Sequence, residues 1–114
     1  MGSCIFCEIV AGRVKSDRVY EDDQVVAFHD VNPQAPVHIL IIPREHVPSV
    51  MDVPGEKLPM VGALHAAAQK IVRRDGLDRT GFRLVVNNGP DAGQAVSHLH
   101  VHLLAGRRLG WPPG

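Results

Sequence analysis

The stretch SHLHVHLLAG, residues 97–106, alternates histidine with aliphatic residues and governs how the whole chain is interpreted. On a β-strand successive side chains point to opposite faces, so Leu99, Val101 and Leu103 are expected to enter the core. The histidines between them then share the other face. Three of the chain's seven histidines lie within five consecutive positions here. The pattern therefore predicts a half-buried strand that carries a row of imidazoles, from His98 through His100 to His102.

The spacing of this row limits what its histidines can do together. Alternate Cα atoms of a strand are about 6.6 Å apart, so the outer two histidines are roughly 13 Å apart. Two neighbouring imidazoles can converge on one atom, whereas three on a straight strand do not easily ring one metal ion. A row with divided roles is favoured over a shared three-histidine metal site or a chance pattern. Neutral imidazoles attack as nucleophiles, bind phosphate and move protons near neutral pH.

A glycine-rich loop, NNGPDAGQA at residues 87–95, directly precedes the histidine row. Glycines let backbone N–H groups approach an anion closely, and asparagine side chains donate to phosphate oxygens. By itself the loop is also ordinary turn chemistry. Together with the histidines it favours a phosphate site shared by loop and strand.

The rest of the chain predicts an α+β domain. The segment CEIVAGR indicates a short apolar helix or turn ending at Gly12, and apolar positions recurring over residues 58–74 predict an amphipathic helix of at least four turns. Because strands are not alternated with helices, we expect about five mostly antiparallel strands with one principal helix packed on the sheet. The predicted strands are RVYEDD, VVAFHD, VHILIIP, FRLVVN and HLHVHLLAG.

Composition and length restrict the class of protein. At 114 residues, with 45% apolar and 21% charged residues and no formal net charge, the chain is expected to be one globular domain rather than disordered. The charge balance gives no electrostatic preference for nucleic acid or anionic membrane. Its apolar runs are far shorter than the roughly 20 residues of a membrane-spanning helix. The N-terminal stretch lacks a basic region and carries Glu8, so we expect a cytoplasmic protein without a secretory signal.

The two cysteines, Cys4 and Cys7, form a C-x-x-C motif. In a reducing compartment this spacing indicates half a zinc site or a redox pair rather than a structural disulfide. A redox pair is expected after a strand, and none is predicted before this motif. Two cysteines supply only half of a tetrahedral zinc shell, and histidines are the natural source of the rest.

The segment HLHVHLL resembles the signature of the histidine triad (HIT) superfamily, in which histidines alternate with apolar residues. FHDVNPQAPVHILIIPREH, VVNNGPDAGQAVSHLHVHLLAGR and the closing WPPG resemble its branch of histidine triad nucleotide-binding proteins, over residues 5–114. The resemblance implies a HIT-like fold: a five-stranded mostly antiparallel sheet, one long helix and a short N-terminal helix in a single domain, 1–114. It also implies a homodimer in which the tail, residues 105–114, reaches the partner's active site.

This resemblance implies a hydrolase that releases a nucleoside 5′-monophosphate and an amine from a purine nucleoside phosphoramidate. His100 is implied as the nucleophile that becomes nucleotidylated, and His102 as the group that hydrogen-bonds the phosphate. His38, from a neighbouring strand, is implied to support proton transfer, with no catalytic metal required. Two alternatives remain open: a dinucleoside polyphosphate hydrolase, and a purine nucleotide-binding regulatory module with little turnover.

The implied nucleotide site draws on several segments. Asp30 matches the residue that holds the ribose hydroxyls, and Trp111 of the tail matches one near the leaving group of the other subunit, although a free tail is the alternative. The residues implied to surround the phosphate are Asn87, Gly93, Gln94 and Ala95. Those implied to sandwich the purine are Ile5, Phe6, Ile9, Phe28 and Val31, each of which is equally explained as core.

Position 95 departs from the family pattern, which often has serine there. Ala95 offers only its backbone N–H, so leaving-group preference and turnover are in question. Ser97, two residues later, is a possible substitute donor.

Several members of the superfamily that begin with C-x-x-C bind a zinc ion that supports the fold. The matching ligands here are Cys4, Cys7, His46 and His98, which make a closed four-coordinate structural shell. The alternative is two reduced thiols and a His98 that only hydrogen-bonds His46 or a carbonyl. His29 and His65 are expected to be structural or at the surface.

Overall fold

The computed structural model describes residues 4–114, so the first three residues of the predicted domain lie outside the description. Five strands form one sheet in the order β1-β2-β3-β5-β4, and every neighbouring pair is antiparallel. The predicted α+β fold, with one long helix and a short N-terminal helix, is confirmed. Its elements are α1 (Ile5–Val10), β1 (Arg18–Glu21), β2 (Val25–His29), β3 (Val37–Pro43), α2 (Pro59–Asp75), β4 (Phe82–Val85) and β5 (Val101–Ala105), with 3₁₀ turns at Val50–Asp52 and Gly55–Lys57.

The long helix α2 begins and ends where its sequence allows. Pro59 stands in the first turn, where its missing N–H costs nothing, and Gly76 ends the helix in the left-handed conformation at φ +68°. Its apolar stripe packs against β1, β2 and β3. The buried residues of this stripe are Leu64, Ala67, Ala68, Ile71 and Val72.

The sheet is buried on both faces at its centre. Strand β3 lies between β2 and β5, and six of its seven residues are buried. One face packs on α2, and the other carries a smaller cluster covered by α1. The second cluster consists of Phe6, Ile9, Val26, Phe28, Leu40 and Ile42. The histidine row shares this second face, so α1 covers the side of the sheet that holds the candidate chemistry.

The strand predicted to contain all three histidines is shorter than expected. Strand β5 begins only at Val101, and His98 and His100 lie in the irregular segment before it. The neighbouring strand β3 ends at Pro43, which has no N–H for a further ladder bond, and the N–H of Leu99 donates instead to the Val47 carbonyl. The predicted alternation nevertheless holds, because Leu99, Val101 and Leu103 lie in the core beneath α2.

Strand β4 is also shorter than the predicted FRLVVN stretch and ends at Val85. The chain then turns into the glycine-rich loop, where the side-chain oxygen of Asn88 accepts the N–H of Met51 at 3.0 Å. Within residues 4–114, no helix is long and apolar enough to cross a membrane.

Candidate active site and metal centre

The fold divides the histidines into two neighbouring groups. His38 on β3, His100, and His102 on β5 form one group, with ring centroids 5.2 Å apart for His38 and His102 and 5.0 Å for His100 and His102. His98 belongs to the other, its ring centroid 4.9 Å from that of His46 in the segment after β3. The geometry thus separates His98 from His100 and His102, and the divided roles of the row stay a prediction.

A backbone carbonyl fixes the tautomer of His100. Its Nδ1–H donates to the carbonyl oxygen of His98 at 2.7 Å, so the ring's lone pair lies on Nε2. The residue is only 6% exposed. Within residues 4–114 its Nε2 forms no hydrogen bond. In the neutral form of the ring, His100 therefore has an oriented lone pair on Nε2, as a nucleophile requires.

A chain of hydrogen bonds also fixes the tautomers of His38 and His102. The backbone N–H of Gln34 donates to Nδ1 of His38 at 3.0 Å, so His38 carries its hydrogen on Nε2. That Nε2–H lies 2.9 Å from Nδ1 of His102, which accepts it. His102 must then carry its own hydrogen on Nε2. The ring next to His100, with its centroid 5.0 Å away, therefore carries an N–H, a suitable donor to a phosphate oxygen.

Burial keeps this pair neutral at physiological pH. Desolvation, reinforced by the neighbouring His100 and His38, lowers the pKa of His102 to about 4. Desolvation also lowers the pKa of His38, against the opposing influence of the Asp30 carboxylate. Both rings are therefore neutral near pH 7, as the hydrogen-bond chain from Gln34 requires.

Asp30, the predicted ribose residue, lies at the end of β2 beside this chain. Its Oδ2 is 3.4 Å from Nε2 of His38, and its Oδ1 accepts the N–H of Asn32 at 2.8 Å. Asp30, His38 and His102 lie close enough together to suggest a second metal group. Nε2 of His38, however, carries the hydrogen that bonds His102, so it has no lone pair to offer while Gln34 holds the ring.

The glycine-rich loop is braced by the side chain of Gln94. Its amide nitrogen donates to the carbonyls of Pro48 at 2.7 Å and Val96 at 3.0 Å, and its oxygen accepts the N–H of Gly89 at 3.0 Å. Gly89 and Gly93 have φ values of +89° and +81°, which favour glycine. Gln94 thus shapes the predicted phosphate loop from within, with its side chain fully engaged.

Other predicted phosphate ligands are more open. Asn87 is half-buried, and Ala95 and Ser97 are exposed. Within the described chain, the side chains of Asn87 and Ser97 form no hydrogen bond to protein, so their donors are available.

The residues predicted to sandwich a purine differ in exposure. Phe6, Ile9 and Phe28 are buried in the cluster beneath α1, where Phe6 and Phe28 pack edge to face at 5.6 Å. Ile5 is 45% exposed and Val31 fully exposed. Only the last two offer open apolar surface to a base. The predicted sandwich, like the role of the 82% exposed Trp111, stays a prediction.

Two cysteines and two histidines form a compact group at the other end of the row. Nδ1 of His98 lies 3.4 Å from Sγ of Cys4, 3.6 Å from Sγ of Cys7 and 3.1 Å from Nδ1 of His46. Sγ of Cys7 lies 3.3 Å from Nδ1 of His46. Ligand atoms of a tetrahedral zinc shell with Zn–N near 2.0 Å and Zn–S near 2.3 Å are about 3.3–3.8 Å apart. The group therefore fits a zinc ion.

The tautomer of His98 suits a metal ligand as well. Its Nε2–H donates to the Pro43 carbonyl at 2.9 Å, which leaves the lone pair on Nδ1, facing the cysteines. Such a carbonyl partner is the usual support of a zinc-binding histidine. Burial and the neighbouring Cys4 raise the pKa of the Cys7 thiol, so metal binding has to displace a proton.

Sequence reasoning missed the groups that set these tautomers. They are backbone atoms of His98, Pro43 and Gln34, which no side-chain motif marks. The only indirect signal is the proline-rich connection before β3, which predicts a tight turn close to His38.

Comparison with known proteins gives consistent matches. The HIT domain family model matches residues 11–109. The purine nucleoside phosphoramidase of Escherichia coli strain K12 is 46% identical over 106 residues, covering 93% of this chain and 89% of that protein. The 14 kDa zinc-binding protein of Brassica juncea is 44% identical over 112 residues, covering 96% of this chain and 98% of that protein. The solved structure of a HIT family hydrolase from Legionella pneumophila aligns with a TM-score of 0.95 at 41% identity, covering 98% of this chain and all of that one.

The resemblance seen in the sequence is confirmed by these matches and by the shared fold. His38, His46 and the whole histidine row lie inside the family match, and the two cysteines precede it. The chain belongs to the HIT domain family.

Proposed function

We propose that the protein is a purine nucleoside phosphoramidate hydrolase that works through a covalent nucleotidyl-histidine intermediate. The observation that carries this proposal is the bond from Nδ1 of His100 to the His98 carbonyl, which leaves the lone pair of the neutral ring on Nε2, an atom without a hydrogen bond within residues 4–114. The activity named for the Escherichia coli relative supports the substrate class. The hydrolase named from Legionella pneumophila supports the type of reaction.

In the first step, Nε2 of His100 forms a bond to the α-phosphorus of the substrate. The P–N bond to the amine breaks, and the leaving nitrogen keeps the electron pair and takes a proton from solvent. In the second step, a water oxygen attacks the same phosphorus, and the electron pair of the P–N bond to His100 returns to Nε2. The proton of that water passes to solvent, and a nucleoside 5′-monophosphate leaves. Atoms and charges balance without a metal ion.

Neighbouring groups stabilise charge in both steps. The ring of His100 gains positive charge as it is nucleotidylated, and its Nδ1–H bond to the His98 carbonyl stabilises that charge. The Nε2–H of His102 is available to donate to a phosphate oxygen. Because the pKa of His102 is about 4, this donor is a neutral imidazole at pH 7. His38 acts through His102, whose tautomer it sets.

The nucleotide is proposed to lie along the loop and the end of β2. Asp30 accepts the ribose hydroxyls, and exposed apolar surface at Ile5 and Val31 contacts the purine. Gln94 contributes by bracing the loop, and Ala95 by its backbone N–H. The remaining phosphate contacts are proposed to come from Asn87 and Gly93.

Zinc is proposed as a structural cofactor held by Cys4, Cys7, His46 and His98. When bound, it supplies a four-coordinate cross-link between α1, the segment after β3 and the histidine row. The interatomic distances and the zinc-binding Brassica juncea relative support this assignment. Since the same His98 offers its carbonyl to His100, the cross-link also steadies the nucleophile.

We further propose that residues 1–114 act as one domain in a homodimer, with tail residues 105–114 reaching the partner's site. The open edge of β4 and the half-exposed Phe82 support an interface there. Trp111, which is 82% exposed, is proposed to contact the leaving amine across that interface.

Mass spectrometry of protein quenched during turnover of adenosine phosphoramidate tests the nucleophile. We expect a nucleotidyl adduct on His100, and its loss together with all hydrolysis in the His100→Ala variant, while nucleotide binding remains. His65→Ala is the matched control, because His65 lies on the exposed side of α2 and bonds only its own helix. Wild-type turnover by His100→Ala would refute the assignment.

Side-by-side turnover of adenosine phosphoramidate and diadenosine polyphosphates tests the substrate class. The proposal requires a higher kcat/KM for the phosphoramidate. Preference for the polyphosphates would support the neighbouring activity instead, and tight nucleotide binding without turnover of either would indicate a regulatory module.

A further inference from the structure

Gly106 and Arg107, at the start of the C-terminal tail, contact the turn that precedes β3. The guanidinium group of Arg107 donates to the carbonyl oxygen of Gln34 from both Nε, at 3.3 Å, and Nη2, at 3.0 Å. Beside it, Gly106 adopts φ +95°, and a Cβ at this position would lie 2.8 Å from Cβ of Pro36. Only glycine permits this close approach. Two consecutive residues therefore hold the turn of residues 30–36 at two points.

Gln34 connects these contacts to the candidate active site. Its carbonyl accepts from Arg107, while its own N–H donates to Nδ1 of His38. His38 in turn donates to His102. An unbroken chain of hydrogen bonds thus runs from Arg107, through the backbone of Gln34 and the ring of His38, to His102.

The ends of the turn are fixed to the sheet: the N–H of Asp30 donates to the His38 carbonyl at 2.9 Å, and Ala35 is buried. Residues 31–34 between these ends are exposed, and the bonds of Asn32 N–H to Asp30 and of the Gln34 amide to the Asn32 carbonyl stay within the turn. The contacts with Gly106 and Arg107 tie this exposed part to the end of β5, and those with Arg107 are charge-assisted.

Displacement of Gln34 would change the chemistry at His102. Without the Gln34 N–H, only the Asp30 carboxylate, 3.4 Å from Nε2, still favours the hydrogen of His38 on that atom. In a fraction of the molecules the hydrogen can then move to Nδ1, which leaves a lone pair on Nε2. The bond between the two rings then reverses, with Nδ1–H of His102 donating to His38. His102 would present a lone pair, instead of an N–H, to a phosphate oxygen, and the two would repel.

We propose that Arg107 is a positioning residue that fixes the tautomers of His38 and His102 through the backbone of Gln34. The consequence for catalysis rests on the function proposed above for His102. The effect on the tautomers does not, because it is a property of the protein without substrate.

Histidine ring ¹⁵N spectra of the substrate-free, folded protein at pH 7.5 test this directly. Wild-type protein should show His38 and His102 protonated on Nε2. Arg107→Met, which keeps the apolar stem and removes the donors, should give a substantial fraction of the Nδ1–H tautomer of His38. Arg107→Lys, which retains one donor, should be intermediate, and it also serves if the methionine variant does not fold.

Arg108→Met is the matched control. Arg108 is the adjacent exposed arginine, and its side chain forms none of the hydrogen bonds or ion pairs found within residues 4–114. This variant loses the same charge and should keep the wild-type tautomers. If Arg107→Lys and Arg107→Met both retain the wild-type tautomers, or if Arg108→Met changes them equally, the proposal is wrong whatever the activity.

Kinetics then connect the tautomers to the reaction. We expect kcat for the phosphoramidate to fall about 10-fold in Arg107→Met, with KM within about twofold of the wild type. The reason is that His102, whose tautomer changes, is the group proposed to contact the reacting phosphate. If the tautomers change in Arg107→Met but the wild type does not hydrolyse the phosphoramidate, the proposed function is refuted and the role of Arg107 stands. If the wild type is active but the tautomers stay the same in the Arg107 variants, only the role of Arg107 is refuted.

Discussion

At the scale of single residues, the site depends on which nitrogen of each imidazole carries the hydrogen. Three backbone groups decide this: the carbonyls of His98 and Pro43 and the N–H of Gln34. As a result, the neutral ring of His100 has its lone pair on Nε2, His102 carries its hydrogen on Nε2, and His98 has its lone pair on Nδ1, facing the cysteines. Three similar side chains within five residues thus have their hydrogens fixed by different groups, as the roles proposed for them require.

The low pKa of His102 predicts acid sensitivity. The folded pKa of about 4 lies below the roughly 6.5 of an unfolded histidine, so folding favours the neutral ring. This contribution is fully present above pH 6.5 and is lost as the pH falls towards 4. In His102→Gln we expect the free energy of unfolding to fall less between pH 7.5 and 4.5 than in the wild type, by about 1–2 kcal/mol after allowance for solvent screening.

Urea unfolding at both pH values measures the difference. His65→Gln, which alters an exposed histidine on α2, should behave as the wild type does. Equal acid sensitivity in the wild type and in His102→Gln would show that His102 titrates normally.

At the scale of elements, α1 is a short helix whose position is set by what it covers. It contributes Phe6 and Ile9 to the second core cluster and Cys4 and Cys7 to the metal group. Phe6 packs edge to face on the rings of both His98 and His100, at 5.8 and 5.2 Å. A helix of six residues is too short to be stable alone, so these contacts must hold it in place.

Removal of zinc should therefore loosen α1 and lower the stability of the whole protein. We expect metal analysis of the purified protein to give one zinc ion per chain, and chelation to lower Tm by several degrees. Cys7→Ser should show the lower Tm without chelator and no further loss with it, because its metal group is already incomplete. A wild-type protein without zinc, or one whose Tm does not change on chelation, would contradict the proposed cofactor.

The elements also show what could be predicted from the sequence. The alternation in HLHVHLLAG correctly divides core from histidine face, because that division depends only on the period of an extended chain. The predicted start of β5 was wrong, because the strand can begin only where it pairs with β3, and β3 ends at Pro43. The resemblance to the family identified Cys4, Cys7, His46 and His98 as a group, and the fold brings these four residues together. The tautomers were beyond prediction, since they depend on backbone carbonyl and N–H groups, which the identity of a side chain does not mark.

At the scale of the whole molecule, the sheet leaves β1 and β4 as its edges. The β4 edge lies next to β5, which carries His102, and the exposed tail begins directly after β5. An edge strand with unpaired backbone groups favours pairing with another chain. A symmetric pair formed along β4 would place each tail near the site of the other subunit.

Sedimentation should accordingly give twice the chain mass of 12.4 kDa. Phe82→Glu, at the β4 edge, should shift the protein to monomer, whereas Val14→Glu, a similarly exposed apolar position after α1, should not. Removal of residues 111–114 should leave the dimer intact and reduce discrimination between large and small leaving amines. A monomeric wild type would refute the proposed dimer, and unchanged amine preference would refute the role of Trp111.

The position of β3 has a consequence for how the activity is lost on heating. This strand is hydrogen-bonded on both sides and buried on both faces, so its amides should exchange with solvent only when the entire domain opens. His38 is part of β3, and His102 lies on β5, which pairs with β3. The backbone that carries His38 and His102 therefore belongs to the last part of the molecule to open. Inactivation on heating should accompany cooperative unfolding, and cooling should restore both together.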